Sequence, residues 1–344
     1  MNKVVIGMSG GVDSSVSALL LQQQGYSVIG VTMDCWEGEL DDAEEARAIA
    51  DFLGIPHYVI DFKDTFREKV INRFIDDYKN GRTPNPCIEC NRYVKWEVLR
   101  QTAARLGAQY VATGHYAQIG TMPNGRLAIR NSATVEKDQS YVLYRLTQEQ
   151  LTGTLFPAGA YSKPQIRKIA EQAGLPVASK PDSQEICFVP GTDYAGYIER
   201  QTGYVPEPGN FVTPDGTVLG RHKGIIHYTV GQRKGLELAM GHRVFVKEIR
   251  PETNEVVIAE PEDLIAASVR IHDLAFMGSD TLTSAPNETW QAKINYNHRG
   301  CGCRVERTGE DEVLVTFASP VRVVTPGQSV VLYQNGFVMG GGVI

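Results

Sequence analysis

Two groups of residues in this chain have the types and spacing that group-transfer chemistry needs. The first is Gly7-Met8-Ser9-Gly10-Gly11-Val12-Asp13-Ser14, directly after the apolar run Val4-Val5-Ile6. A buried strand that turns through glycines into a helix leaves unpaired backbone N–H groups at the helix start, where the helix dipole favours negative charge. Gly10 and Gly11 let the backbone come close to an anion, while Ser9 and Ser14 add hydroxyl donors. No Gly-Lys-Ser/Thr follows, which excludes a Walker A loop, and the spacing is not the Gly-x-Gly-x-x-Gly of dinucleotide folds. Ser-Gly-Gly-x-Asp-Ser matches instead the loop that cradles pyrophosphate in enzymes cutting ATP between its α- and β-phosphates. The plain alternative is a glycine-rich turn between a strand and a helix. Asp13 would act there through Mg2+ or as a helix cap, two roles that the sequence does not separate.

The second group carries sulfur. Cys87-Ile88-Glu89-Cys90 follows Pro84-Asn85-Pro86, and Cys187 lies far along the chain within Asp182-Ser183-Gln184-Glu185-Ile186-Cys187-Phe188. A Cys-x-x-Cys permits thiol–disulfide exchange, metal or cluster ligation, or activation of one thiol by its partner. A helix expected to begin near residue 93 would draw the Cys90 pKa down. A structural zinc pair competes with these readings, but no second Cys-x-x-Cys or Cys/His pair completes four ligands at the usual spacing. Cys301 and Cys303 sit in a strand-rich stretch without a partner cluster and read as structural thiols; Cys35 reads as packing beside a nucleotide.

Positioning these groups falls to alternating strands and helices over residues 1–115. Apolar runs at 28–31, 57–60 and 110–112 read as strands, and residues 41–53, 66–78 and 93–106 as helices. Such alternation demands right-handed crossovers and a parallel sheet covered on both faces, with ligands at the carboxyl ends of the strands. The glycine loop, Met33-Asp34-Cys35 and Gly114-His115 all fall at such ends. A hairpin turned at Pro123-Asn124-Gly125 is expected over 118–130, then helices over 163–173 and 193–202 on either side of a loop at 179–190. After Pro206-Glu207-Pro208-Gly209 short alternating strands take over. The expected organisation is a doubly wound α/β domain at 1–204, a small β-rich domain at 205–268 and a β-barrel at 269–344.

Composition narrows the setting. Six cysteines among 344 residues are no disulfide scaffold, so reduced, ligating or catalytic thiols in the cytoplasm are expected. No apolar run approaches membrane-spanning length and no signal segment heads the chain, so no membrane partner is expected. The net charge of −6 argues against a non-specific nucleic-acid binder, but the charge is unevenly placed. Lys and Arg number 20 against 13 Asp and Glu over 81–247, whereas the flanks are acidic, with 7 against 14 over 1–80 and 7 against 13 over 248–344. A basic middle is the footprint of a phosphate-rich partner, or a chance pattern on solvated faces.

Together these residues resemble the tRNA-specific 2-thiouridylase family, known as MnmA, over essentially the whole chain. The resemblance rests on an ordered set of motifs. It opens with residues 7–14, then Gly81-Arg82-Thr83-Pro84-Asn85-Pro86 leading to Cys90-Asn91, then Ala112-Thr113-Gly114-His115-Tyr116. Lys137-Asp138-Gln139-Ser140-Tyr141, Ser183-Gln184-Glu185-Ile186-Cys187-Phe188 and Tyr228-Thr229-Val230-Gly231-Gln232-Arg233-Lys234-Gly235 continue it. Pro326-Gly327-Gln328 and Gly340-Gly341-Gly342 close it.

The resemblance implies a pyrophosphate-loop fold of the adenine-nucleotide alpha-hydrolase type. It implies that ATP, with Mg2+, adenylates the C2 carbonyl oxygen of the wobble uridine in tRNA, releasing pyrophosphate, and that sulfur then displaces AMP. AMP leaves readily where the bare oxygen does not, and a glycine loop on pyrophosphate stabilises the charge that develops. By resemblance Cys187 carries a persulfide, and Cys90 is the nucleophile that frees sulfide or closes a disulfide with it. The ATP contacts carry over to Gly7, Met8, Ser9, Gly10, Gly11, Val12, Asp13, Ser14, Met33 and Gly114. Asn85, Pro86 and Cys87 match the segment that faces the target base, while His115, Lys137, Asp138, Gln139, Asn295, Tyr296 and Gln328 match tRNA-contacting positions. His115 also reads as a satisfied core histidine and Lys137 as a solvated charge, and Asn295 replaces an expected basic residue. Many relatives carry Asp at the position of Cys87. Cys87, Cys90 and Cys187 are therefore also candidate ligands of a [4Fe–4S] cluster with one open iron, a second route beside the persulfide. A sulfur donor, either a cysteine desulfurase or a sulfur-relay protein, is implied as a partner. The rivals are amidating ligases of the argininosuccinate or GMP synthetase type, which have no use for the thiols, and a non-catalytic RNA-binding or redox module.

Overall fold

The computed structural model describes residues 1–36, 40–181 and 186–344. The chain opens with β1 (Lys3–Gly7), β2 (Ser27–Asp34), β3 (His57–Asp61) and β4 (Tyr110–Ala112), followed by β5 (Gln118–Thr121), β6 (Leu127–Arg130) and the short β7 (Thr154–Leu155). Five of these form a parallel sheet in the order β3-β2-β1-β4-β7. Side chains alternate across β1, as a doubly covered strand requires. Val4 and Ile6 pack with Val16, Leu21, Ile49 and Ile166, whereas Val5 packs with Trp96, Leu99 and Val111. The helices Val12–Gln23, Leu40–Leu53 and Lys163–Gln172 therefore cover one face and Trp96–Leu106 the other. Local signals set their ends. Gly107, at φ +64°, closes Trp96–Leu106, and Ser162 with Gln165 forms a capping box at the start of Lys163–Gln172.

The cysteine segment departs from expectation. Its helix begins not near residue 93 but at Pro86, running as Pro86–Cys90 into a π-helical turn, Asn91–Lys95, and on into Trp96–Leu106. Asn85 caps it by accepting from the Cys87 N–H at 3.2 Å, and Pro86 fills the first turn, where no helical hydrogen bond is lost. Cys87 thus lies at the helix start, and Cys90 stands a turn further in, beyond the pull expected from a start at residue 93.

A second sheet, β10-β11-β8-β9, is made of β8 (Gly209–Val212), β9 (Val218–His222), β10 (Phe245–Arg250) and β11 (Glu255–Ala259). Its Phe211, Val246 and Val256 share one apolar core with Phe66, Phe74, Tyr78 and Phe188. The remaining strands are β12 (Ile265–Phe276), β13 (Trp290–Lys293), β14 (Cys301–Arg307), β15 (Glu312–Arg322), β16 (Ser329–Gln334) and β17 (Phe337–Val343). They close antiparallel as β12-β15-β14-β13-β16-β17, with β17 pairing back onto β12. β12 begins at Ile265, ahead of the boundary expected at 269. The expected hairpin forms as β5 and β6 but belongs to the barrel, joining β17 at Phe337 and Arg130. Residues 182–185, which include Ser183-Gln184-Glu185 of the sulfur motif, lie outside the described residues. Among the described residues no helix is long and apolar enough to cross a membrane.

Candidate active site at the strand ends

β1 sits mid-sheet, so the turn that leaves it opens at the centre of the sheet's carboxyl edge. Met8 N–H still donates to Val31 at 2.8 Å, after which Gly10 takes φ +67° and the chain enters the helix Val12–Gln23. The Ser14 hydroxyl donates to the Gly11 carbonyl at 3.1 Å and accepts from Ser9 N–H at 3.3 Å, which shapes the loop from within. Behind it the Thr32 hydroxyl donates to the Met8 carbonyl at 2.8 Å and lies 2.9 Å from His57 Nε2. Gly114, at the end of β4, approaches so closely that a Cβ there would meet Ser14 N at 2.7 Å and the Asp13 carbonyl carbon at 2.9 Å. A Cβ on Gly7 would touch Met33 Cε at 3.7 Å. The ten residues expected at ATP are thus brought together.

Asp13 does not cap its helix; Gly11 is the cap residue and receives no side-chain bond. Asp13 Oδ1 instead accepts from Lys163 Nζ and from the Tyr116 hydroxyl, each at 2.7 Å. Asp13 is one carboxylate at the loop, which suits a Mg2+ ion whose other ligands are phosphates and water. Lys163 escaped the sequence reading, because its only local signal is the capping box it follows.

Four of the thiols lie within electrostatic reach of one lysine. The Lys95 ammonium is their common neighbour. Burial works against its charge, yet Cys90, Cys87, Cys187 and Cys35, in that order, outweigh burial and raise its pKa. Burial pushes the Cys87 thiol up, and Lys95 pulls it partly back. Cys87 keeps exposed surface although it lies in a crowded cleft, while Cys90 and Cys35 are buried. Cys187 is exposed on the wall of a cavity of about 550 Å3 that Cys35, Lys63, Arg67 and Arg200 also line. His115 is held well below its usual pKa by burial and then by Lys95, and its Nδ1 lies 2.8 Å from the Thr113 hydroxyl. Among the described residues no group of three or more His, Cys, Asp or Glu side chains is arranged to hold a metal ion. A cation already stands among the sulfurs.

Of the residues expected at RNA, Asn85 and Tyr296 are tied to Cys87, and the others are held by their own partners. Gln139 Oε1 accepts from Tyr116 N–H at 2.8 Å, and buried Asp138 accepts from the Ser140 hydroxyl at 2.7 Å and from Lys293 Nζ at 3.2 Å. Tyr296, 41% exposed, has its phenol pKa raised by burial and then by Asp138, with Lys137 opposing and Cys87 adding to it. It therefore stands among all three, with Asn295 beside it in the chain. Gln328 Nε2 donates to the Thr83 carbonyl at 2.7 Å, and Thr83 N–H to Pro326 at 2.8 Å, which clasps the loop leading to Asn85 and Pro86. Cys301 and Cys303 lie apart on β14; burial pushes the Cys303 thiol up to about 12.

Three family models match in succession: a tRNA methyl transferase HUP domain over residues 2–191, a tRNA methyl transferase PRC-barrel domain over 197–260 and an aminomethyltransferase beta-barrel domain over 266–344. The tRNA-specific 2-thiouridylase MnmA of Lachnoclostridium phytofermentans is 52% identical, covering 100% of this chain and 99% of that protein. The protein of the same name from Clostridioides difficile is 47% identical over 99% of this chain and 98% of its own length. A solved 4-thiouridine synthetase in complex with RNA and ATP covers 59% of this chain and 50% of its own, at 20% identity and a TM-score of 0.39, too distant a likeness to carry an argument.

Proposed function

We propose that this chain, which belongs to the MnmA family of tRNA-specific 2-thiouridylases, uses ATP to replace the C2 oxygen of the wobble uridine in tRNA with sulfur. The observation that carries the reading is the meeting of two unrelated sets of residues at one sheet edge. A pyrophosphate loop lies beside a cleft in which Cys90, Cys87 and Cys187 share the Lys95 ammonium. Amidating ligases need the loop but not the thiols, and a binding module needs neither in this register.

In this reading Gly7 to Ser14, Met33 and Gly114 hold ATP with Mg2+, and attack by the C2 oxygen on the α-phosphorus releases pyrophosphate. Backbone N–H groups of the loop stabilise the departing charge. Cys187, exposed in its cavity, receives a persulfide from a sulfur donor, a desulfurase or a relay protein. The Cys90 thiolate attacks the Cys187 sulfur of that persulfide; the sulfur–sulfur bond breaks and hydrosulfide leaves. Hydrosulfide adds at C2, AMP departs with the original oxygen, and a Cys90–Cys187 disulfide remains for a dithiol to reduce. Asn85, Pro86 and Cys87 face the flipped base, while His115, the 137–139 loop, Asn295, Tyr296 and Gln328 hold RNA between the α/β domain and the barrel. The setting is cytoplasmic.

The experiment is mass spectrometry of the wobble nucleoside after tRNA is incubated with ATP and a sulfide source. A gain of one sulfur at the expense of one oxygen supports the reading, and pyrophosphate release that needs no RNA overturns it. A [4Fe–4S] cluster on Cys87, Cys90 and Cys187 is the competing sulfur route. Iron and sulfide analysis after anaerobic purification tests it, and thiolation by iron-free protein would reject it.

A further inference from the structure

The far side of the cysteine helix is tied to the barrel by charge. Cys87 and Cys90 are three residues apart and share one face of Pro86–Cys90, whereas Glu89 leaves from another and is buried. Its Oε2 accepts from Arg73 Nη1 at 3.0 Å, and Arg73 Nη2 lies 3.7 Å from Oδ2 of Asp273 on β12. Arg145 grips Asp273 in turn, donating to Oδ1 at 3.1 Å and to Oδ2 and the main-chain carbonyl at 2.8 Å each. The Arg145 side chain is only 3% exposed; its Nε donates to the Tyr144 hydroxyl at 2.8 Å, which lies 3.0 Å from Ser329 Oγ on β16.

Asp273 is no ordinary strand residue. It takes φ +50° where the pairing of β12 with β17 shifts register, and its N–H and that of Leu274 both donate to the Asp311 carboxylate at 2.9 Å. A left-handed residue of this kind persists only where its surroundings hold it. Asp311, Asp273, Arg73 and Glu89 form a continuous path from the barrel to the turn that carries the thiols. The charged chain is buried at Glu89 and Arg145 and bridged between them by the half-exposed Arg73 and Asp273; parting Glu89 from Arg73 leaves a buried carboxylate uncompensated.

We propose that Glu89 and Asp273 are positioning residues for the sulfur chemistry: through Arg73 the barrel sets where Cys90 stands relative to Cys187. The inference rests on reading Cys90 as the sulfur-transferring nucleophile, and it gives the barrel a part in the chemistry beyond any surface it offers to RNA.

Asp273→Asn and Glu89→Gln keep the shape and remove one charge each. Single-turnover thiolation, ATP-dependent pyrophosphate release and alkylation of Cys90 by iodoacetamide in RNA-free protein are the three readouts. Each variant is expected to slow sulfur transfer about tenfold or more, since a displacement of ~1 Å suffices for that. Pyrophosphate release and the KM for ATP should hold, while Cys90 alkylation changes by a comparable factor. The double variant should be no slower than the worse single one, because both act through one path, and Asp273→Glu should restore part of the rate. Unchanged sulfur transfer, pyrophosphate release falling in step with it, or multiplied losses in the double variant would each overturn the proposal. Should either variant fail to fold, Arg73→Gln, at a half-exposed side chain, carries the same expectations. If wild-type protein thiolates no tRNA yet the variants alter Cys90 alkylation, the functional reading falls and the positioning role stands.

Discussion

Lys163 Nζ and the Tyr116 hydroxyl converge on the same oxygen of Asp13, each at 2.7 Å. This ties the start of the helix Lys163–Gln172 and the end of β4 to the first turn after the glycine loop. The lysine is nearly buried, at 12% side-chain exposure, and its ammonium lies at the first turn after the proposed pyrophosphate loop. Lys163→Met is expected to cut ATP-dependent pyrophosphate release by about a hundredfold, the scale of losing one preorganised electrostatic contact. Binding of tRNA by filter assay should stay as it was. Undiminished pyrophosphate release would remove Lys163 from the phosphate site.

Gly114 meets backbone, which cannot rotate out of the way. Gly114→Ala would place its methyl 2.7 Å from Ser14 N, so the loop must shift. A loss of about 1–3 kcal/mol in unfolding free energy is expected from such overpacking, together with weaker ATP binding by calorimetry. A variant that binds ATP as tightly as the parent would show that the loop has slack.

On the proposed route both thiols act after the C2 oxygen is adenylated. Cys90→Ser and Cys187→Ser should therefore each abolish thiolation while leaving RNA-dependent pyrophosphate release nearly intact. Quenched-flow measurement of both products separates the steps. Pyrophosphate release lost along with thiolation would place these cysteines in the nucleotide site instead.

Lys95 opposes the desolvation of Cys87. Removing it with Lys95→Met leaves burial unopposed, so the Cys87 pKa rises and its thiolate fraction at neutral pH falls. Alkylation of Cys87 at pH 7 should slow about tenfold for each unit of rise. Peptide mapping after timed iodoacetamide exposure reads this directly, and an unchanged rate would mean that the ammonium does not act on that sulfur.

Much of the site was legible because its signals are local. A strand, a glycine turn and a helix start occupy consecutive residues 3–15, and Pro123-Asn124-Gly125 announces its own hairpin, with Gly125 at φ +82°. The helix start at Pro86 was also written locally, in Asn85-Pro86, but the expectation set it near residue 93. Lys163, Lys95 and Asp273 carry no such signal. Their partners lie far off in sequence and meet them only through the sheet's crossovers and the closure of the barrel. The destination of β5 and β6 was hidden for the same reason, since nothing near residue 130 names Phe337 as its neighbour.

That long-range pairing has a consequence for synthesis. Ala128 and Ile129 share one core with Val5 and Trp96 of the α/β domain and with Val331 and Val338 of the barrel. At ribosomal speeds of roughly 5–20 residues per second, the hairpin waits on the order of ten to forty seconds for β17 to emerge. Throughout that interval an apolar edge has no mate. Nascent chains stalled before residue 337 should therefore recruit chaperones, and detaching the barrel at the genetic level should leave an insoluble remnant rather than a working ATPase.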